Sequence, residues 1–339
     1  MIAVDAMGGD FAPKVIVQGA FNAARRGVPI TLFGDQTQIE QILKDLAEQA
    51  LLNSWQDLSI LIHHTSQVIE MGQEPTRTVL DKQDSSLVRS VRAVSQGDAD
   101  AVFSAGNSGA AMVAGTFILG RVDGVDRPAI GSFFPGIKES FFCLDLGVNT
   151  DCKPEFLEQF AFMGHLYVKM MYNIQSPRIG LLSNGHEPYK GSLAVKQAYK
   201  RLFDTGLNFV GNVEARDAFD GHADVLVCDG FVGNIFLKTV QGTSRTIVKW
   251  IDQERKKSWL ATAGLFLSKG LFKNLIKNKV QATQQVGGVL LLGVNHPLMI
   301  AHGNSDAVAV ENGLVSLHDM VQKTFTQKFN AELKSLLVR

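Results

Sequence analysis

Short apolar runs alternate with amphipathic segments along most of this 339-residue chain, and that alternation limits the fold more than any other feature. Ile2–Val4, Ile30–Phe33, Leu58–Ile62 and Ala101–Phe103 read as strands, as do Ile179–Leu182, Asn208–Gly211 and Val225–Cys228. Lys14–Arg26, Gln38–Ala50, Ser86–Gln96 and Ser108–Leu119 read as helices. So do Glu155–Tyr172, Ser192–Phe203 and Asn234–Arg255. Strands that alternate with helices are joined by crossovers, so the expected fold class is α/β, with a mainly parallel sheet covered on both faces. Ala129–Phe134 and Phe141–Leu144 are a hairpin-like exception, separated by Pro135-Gly136-Ile137-Lys138. We expect one α/β catalytic unit over residues 1–339, with 149–154 as the place where two lobes would cross.

The chemistry has to come from the corners between these elements, because composition leaves few other routes. Lys plus Arg and Asp plus Glu are 33 each, so the net charge is zero. That argues against a uniformly basic nucleic-acid binder. Cys143, Cys152 and Cys228 form no CxxC pair and read as reduced cytosolic thiols. The N-terminus Met1-Ile2-Ala3-Val4-Asp5 carries no signal-peptide pattern. The longest apolar run, Val286 to Ile300, is broken by Asn295, His296 and Pro297 and falls short of the ~20 residues that span a bilayer.

Five corners stand at strand ends. Asp5-Ala6-Met7-Gly8-Gly9-Asp10 follows the first strand, where open α/β sheets bind ligands. Ser104-Ala105-Gly106-Asn107-Ser108-Gly109-Ala110 joins a strand to a helix, and its small residues leave backbone N–H groups free to face an anion. Leu182–Gly191 gathers Asn184, Gly185, Glu187 and Lys190 ahead of a helix, and Lys190 suits phosphate as a point charge. Asp229–Asn234 opens another helix, where Asn234 is either an N-cap or an amide donor to an oxyanion. Ala301–Ala307 holds His302 and Ser305. Such corners are expected to converge on one cleft.

Neither GxxxxGK[ST] nor a strand followed by GxGxxG occurs. HExxH is also absent, and the eight His are scattered. No cofactor and no metal is therefore expected. His186 and His222 read as structural.

Seven stretches carry a resemblance to the bacterial phosphate acyltransferases of phospholipid synthesis, the PlsX family. They are DAMGGD at Asp5–Asp10, SAGNSGA at Ser104–Ala110, DLGVN at Asp145–Asn149, LSNGHEPYKG at Leu182–Gly191, GNVEARD at Gly211–Asp217, CDGFVGN at Cys228–Asn234 and AHGNSDA at Ala301–Ala307. They run in order over nearly the whole chain. Ser108, Val148, Ala215 and Asn304 depart from the commoner Thr, Ala, Gly and Ser, and none removes a group the chemistry needs.

The resemblance implies a three-layer α/β/α fold similar to phosphotransacetylases and isopropylmalate-type dehydrogenases, as a homodimer. It implies acyl transfer from acyl carrier protein to inorganic phosphate, with a glycerol-3-phosphate acyltransferase downstream. It places Lys190 and Asn234 as catalytic. Asp5, Gly8, Gly9, Asp10, Ser104, Gly106, Asn107, Ser108 and Gly109 would shape the substrate and phosphate pocket. Asn149, Asn184, Gly185, Glu187, His302 and Ser305 join them. The rival readings are an NAD-dependent hydroxy-acid dehydrogenase on a similar fold and a membrane-bound scaffold without catalysis.

Residues 255–280 form a basic tip. From Arg255 to Ser305 there is no Asp or Glu. At about 100° per residue, Lys269, Lys273 and Lys277 fall on one stripe and Leu267, Leu271 and Leu275 on another. A basic face opposite an apolar one suits an anionic membrane surface. The expected location is the cytoplasm, at the inner face of the cell membrane.

Overall fold

The computed structural model describes residues 1–257, Gly270 and 287–338. The chain opens with β1 (Ile2–Asp5), α1 (Lys14–Arg25), β2 (Ile30–Gly34), α2 (Gln36–Gln49) and β3 (Ile60–His64). It continues through α3 (Pro75–Asp81), α4 (Ser86–Gln96), β4 (Ala101–Ser104), α5 (Ser108–Ala114), β5 (Ala129–Phe134) and β6 (Phe141–Leu144). Next come α6 (Pro154–Tyr172), β7 (Ile179–Leu182), α7 (Leu193–Phe203), β8 (Phe209–Val213), α8 (Ala215–Phe219), β9 (Val225–Val227) and α9 (Gly230–Lys257). The last elements are β10 (Val289–Leu292), β11 (Leu298–Ile300), α10 (Ala307–Gln322) and α11 (Phe325–Leu337).

These elements fall into two units, Met1–Ile130 with Gln284–Arg339, and Gly131–Thr283. Residues 149–154 lie in the second, between β6 and α6.

In the first unit the strand order is β3-β2-β1-β4-β11-β10. The strands are parallel from β3 to β11, and β10 runs antiparallel to β11. All four residues of β1 and of β4 are buried. That is the mark of central parallel strands with helices on both faces. α1 packs on α2 and α10, and α4 packs on β1. Leu87, Val88 and Val91 of α4 share a core with Ala3, Val102 and Leu298 of the sheet. The helix ends follow local chemistry. Ser85 caps α4 by accepting from Val88 N at 3.4 Å, and Gly97 ends it in the left-handed region at φ 84°. Asp35 caps α2 through Gln38 N at 3.1 Å.

In the second unit the order is β5-β6-β9-β7-β8. β5 and β6 pair antiparallel, from Gly131↔Leu144 to Phe134↔Phe141, and β6, β9, β7 and β8 are parallel. α6 covers β9 and β6 and packs on α7.

Two differences from the sequence expectation bear on function. The helix expected to begin at Asn234 begins at Gly230, so Asn234 stands one turn inside α9. The apolar run ending at Ile300 forms the antiparallel pair β10–β11, with Leu290 opposite Met299. The structure also adds α3, α8, α10 and α11. Among the described residues no helix is long and apolar enough to cross a membrane. Leu267, Lys269, Leu271, Lys273, Leu275 and Lys277 lie outside the described residues.

Candidate functional site

β1, β4 and β11 are adjacent and parallel in the first unit, so their carboxyl ends open on one edge of its sheet. Asp5 ends β1 and is 2% exposed. Its Oδ1 accepts from Ser86 Oγ at 2.5 Å and its Oδ2 from Ser104 Oγ at 2.7 Å. The backbone N–H groups of Met7 and Gly8 bond to it as well. The DAMGGD turn is thus wound around its own buried carboxylate.

Ser104 passes the network on, its Oγ accepting from Gly106 N at 3.1 Å. A Cβ on Gly8 would lie 2.9 Å from Gly106 Cα, so the two turns meet glycine on glycine. Gly9 adopts φ 120°, and Asp10 N–H donates to Gly303 O at 2.8 Å. That bond brings the β11 corner in. His302 there is exposed, Ser305 is half-buried with its N–H on His302 O at 3.0 Å, and Asp306 caps α10.

Asn107 is inward-facing. Its Oδ1 accepts from Ala110 N at 3.0 Å, and its Nδ2 donates to the carbonyls of Glu70, Met71 and Gln73. Ser108 beside it is exposed, and Gly109 is half-buried against Pro75.

Burial pushes the Asp5 carboxyl above its ordinary value of 3.8, and the hydrogen bonds from Ser86, Ser104, Met7 and Gly8 offset this in part. Below pH 3.8 the proton is held in both folded and unfolded chains. As pH rises through the folded value, the ionised form has to be buried, and stability falls. Wild type is therefore expected to lose stability relative to Asp5→Asn as pH rises above 3.8. Urea unfolding of both proteins across that range reads the difference. A difference that stays flat with pH rejects the assignment.

In the second unit β6, β9 and β7 are likewise adjacent and parallel. Asp145, fully buried, follows β6. Its Oδ1 accepts from Val148 N at 3.2 Å, and its Oδ2 accepts from Asn149 N at 2.7 Å and Asn149 Nδ2 at 2.9 Å. Asn149 O then accepts from Gly230 N at 2.7 Å. Asp229 caps α9, with Oδ1 on Val232 N at 2.8 Å. A Cβ on Gly233 would fall on the Asp145 carbonyl oxygen, so α9 starts in backbone contact with the β6 corner. Exposed Asn234 is carried beside Gly147, its Cβ 3.6 Å from where a side chain there would begin.

The β7 corner holds Lys190. Its N–H donates to Glu187 O at 3.0 Å, and Asn184 Oδ1 accepts from Gly191 N at 2.9 Å. The Lys190 stem and the Glu187 carboxylate both lie over Gly185. Lys190 is half-buried and makes no ion pair among the described residues. Its Nζ is 5.9 Å from the centre of the Tyr189 ring. His186 is tied down, with Nδ1 3.3 Å from Asn212 O and Nε2 3.1 Å from Asp217 Oδ2.

Burial disfavours the thiolate form of Cys152 and Cys228. Burial, with the charges of Asp145 and Asp229 added, pushes Cys152 up to about 12. The Cys143 sulfur at 3.9 Å and burial push Cys228 up as well. Among the described residues no three His, Cys, Asp or Glu side chains are grouped to hold a metal.

Sequence reasoning missed three organisers: Ser86, Asp145 and Asp217. Asp145 and Asp217 stand inside motifs singled out in the sequence, where an acid next to a strand end was the available signal. Nothing local marks Ser86, whose partner Asp5 is 81 residues away.

Residues 1–328 match the family model described as "Fatty acid synthesis protein". A protein of Pelotomaculum thermopropionicum named "Phosphate acyltransferase" is 42% identical over 339 residues, covering 100% of this chain and 96% of its own. The chain belongs to this family of phosphate acyltransferases. A second phosphate acyltransferase, from Geobacter sulfurreducens, is 43% identical over 335 residues, covering 98% of this chain and 94% of its own.

Solved structures extend the likeness in fold alone. A phosphotransacetylase from Streptococcus pyogenes superposes with TM-score 0.59 at 16% identity, over 95% of this chain and 94% of that one. A branched-chain phosphotransacylase from Enterococcus faecalis gives 0.54 at 13% identity, over 94% and 98%. The phosphate acyltransferase chain is thus a mainly parallel α/β protein with flanking helices, of phosphotransacetylase-like fold.

Proposed function

We propose that the chain moves a fatty acyl group from acyl carrier protein to inorganic phosphate. The product is an acyl phosphate, consumed by a glycerol-3-phosphate acyltransferase in phospholipid synthesis. Membership of the phosphate acyltransferase family supports the acyl-transfer chemistry. The carrier protein, the product and the pathway are our reading.

The reaction asks little of the protein. An oxygen of hydrogen phosphate attacks the thioester carbonyl carbon, a tetrahedral oxyanion forms, the C–S bond breaks, and the departing thiolate takes up, through water, the proton that the phosphate group gives up. Phosphate is already nucleophilic near neutrality, so alignment and charge stabilisation are what remain to be supplied. At the corners the N–H groups of Met7 and Gly8, Ala110, Val148 and Asn149, Gly230 and Val232 are engaged by the acceptors of Asp5, Asn107, Asp145, Asn149 and Asp229. The observation that bears most weight is Lys190, a half-buried ammonium at a strand-end corner without an ion pair among the described residues. We assign it to phosphate and Asn234 to the carbonyl oxygen. The Asp5–Asp10 and Ser104–Gly109 turns shape the first unit's corner, with His302 and Ser305 at its β11 side.

The test is phosphate-dependent release of thiol from acyl carrier protein thioesters, with acyl-CoA as a parallel donor. No release with either donor sinks the proposal, and nicotinamide reduction in its place would identify a dehydrogenase.

We further propose that the protein works as a homodimer at an anionic membrane surface. The exposed apolar residues Ile247, Val248, Trp250 and Ile251 of α9 support an unfilled interface. The leucine stripe for lipid lies outside the described residues and rests on sequence alone. Leu271→Glu/Leu275→Glu is expected to lose co-sedimentation with anionic vesicles. Equal binding by a dimeric, active variant would assign the stripe to protein packing.

A further inference from the structure

The stretch Gly211–Asp217 supplies no group to the acyl-transfer reading, yet the fold lays it against the corner that carries Lys190. β8 runs parallel beside β7, with Asn212 opposite Leu181 and Val213 opposite Leu182. Ser183 N–H donates to Val213 O at 3.0 Å, so the two chains are still paired where β7 ends and the turn to Lys190 begins.

Asn212 is 4% exposed, and its Nδ2 donates to the carbonyl of Glu187 at 2.8 Å. Lys190 N–H donates to the same carbonyl at 3.0 Å. A single oxygen therefore links the buried amide of β8 to the backbone of Lys190. A carbonyl accepts and never donates, so this bond also fixes which end of the Asn212 amide is nitrogen. The neighbouring residue of the turn is held from the same side. His186 Nδ1 is 3.3 Å from Asn212 O, and its Nε2 is 3.1 Å from Oδ2 of the buried Asp217 of α8.

Stability alone does not account for an asparagine here. Its Oδ1 is buried and has no hydrogen-bond partner among the described residues. Such an atom costs free energy, and an apolar side chain of similar volume would avoid that cost. What the asparagine adds is the donor on Glu187 O. A lysine carries its charge on a flexible four-carbon stem, so the ammonium is aimed only as well as the backbone beneath it is fixed.

We propose that Asn212 is the positioning residue for Lys190, with Asp217 assisting through His186. The proposal rests on the assignment of Lys190 to phosphate made above. All the groups involved belong to the second unit.

The experiment is a double-mutant cycle on the full chain, read as kcat/KM for phosphate. Asn212→Leu keeps the volume and removes the donor. With Lys190 present it is expected to lower kcat/KM about tenfold, inside the roughly 10²-fold that a misplacement of about 1 Å can bring. In the Lys190→Ala background there is no ammonium left to aim, and the same change is expected to cost less than about twofold. Loss of folded protein would lower both backgrounds alike, so the comparison separates positioning from plain structural damage. Asp217→Asn is expected to show the same dependence on Lys190, with a smaller loss. Hydrogen exchange supplies a readout free of turnover: the backbone amides of residues 184–191 should exchange faster in Asn212→Leu than in wild type. An equal loss from Asn212→Leu in the two backgrounds, no loss in either, or wild-type exchange across the turn overturns the proposal. A stable Lys190→Ala protein with wild-type turnover overturns the Lys190 assignment itself.

Discussion

Lys190→Ala is expected to lower kcat/KM for phosphate by about 10²–10³-fold, the loss typical of removing one preorganised charge-stabilising donor. The fold should survive, because the turn does not depend on the ammonium. Asn184 Oδ1 holds Gly191 N at 2.9 Å, and Ser192 caps α7 through Val195 N at 3.3 Å. The Lys190 stem lies over Gly185 at the surface of the corner, so its removal opens no core cavity. Lys190→Arg keeps the charge and changes its shape, and it should restore part of the loss. Steady-state kinetics at varied phosphate, with thermal unfolding as the control, decide the matter. A stable alanine variant that turns over at the wild-type rate in low phosphate would reduce Lys190 to a surface residue.

The largest effect on stability is expected at Gly233. A Cβ there falls on the Asp145 carbonyl oxygen and stands 2.9 Å from Cys228 Sγ. Both neighbours are tightly placed, Asp145 N–H on Cys228 O at 3.0 Å and Cys228 N–H on Leu144 O at 2.8 Å. Gly233→Ala must push the start of α9 off the β6 corner, at a cost of about 3 kcal/mol. Gly242, further along the same helix, has nothing within 4 Å of its Cβ position. Gly242→Ala should stabilise by about 1 kcal/mol through helix propensity. Urea midpoints of the two variants should therefore move in opposite directions. A Gly233→Ala midpoint equal to that of wild type would show that α9 can slide away freely. The same variant should also impair turnover, because α9 carries Asn234.

Which parts of this were readable from sequence follows from where each signal resides. β1, β4, β7 and β9 are buried at every residue, and their short apolar runs, closed by Asp5 in β1 and Ser104 in β4, announce themselves. α4 was legible to the residue because Ser85 and Gly97 are local stop signs. α9 was not, because Gly230 and Gly233 look like loop residues. They are helical, and the reason for glycine is the backbone of Asp145 and Asn149 beside them, a contact that only the fold creates. α3 and α8 are too short, at seven and five residues, to show a period. At the candidate site, the motifs marked turns that the structure places at strand ends. They did not say which polar groups face inward. Asp5 and Asn107 looked like ligand contacts, and in the structure their side chains bond to the protein itself. Such partners, Ser104 99 residues from Asp5 and Gln73 34 residues from Asn107, leave no trace in local spacing.

The turns after β1 and β6 have a thermodynamic consequence. Each is wound on a buried carboxylate that supplies its own acceptors, Asp5 in one and Asp145 in the other. Loops of this kind have already lost their conformational freedom when the chain folds, so a ligand arriving there meets a finished surface. The entropy of ordering protein is then absent from the free energy of association, and what the substrate surrenders is chiefly its own motion. Weak contacts to a small, strongly hydrated anion can be sufficient under those terms, where a floppy loop of the same composition would need many more.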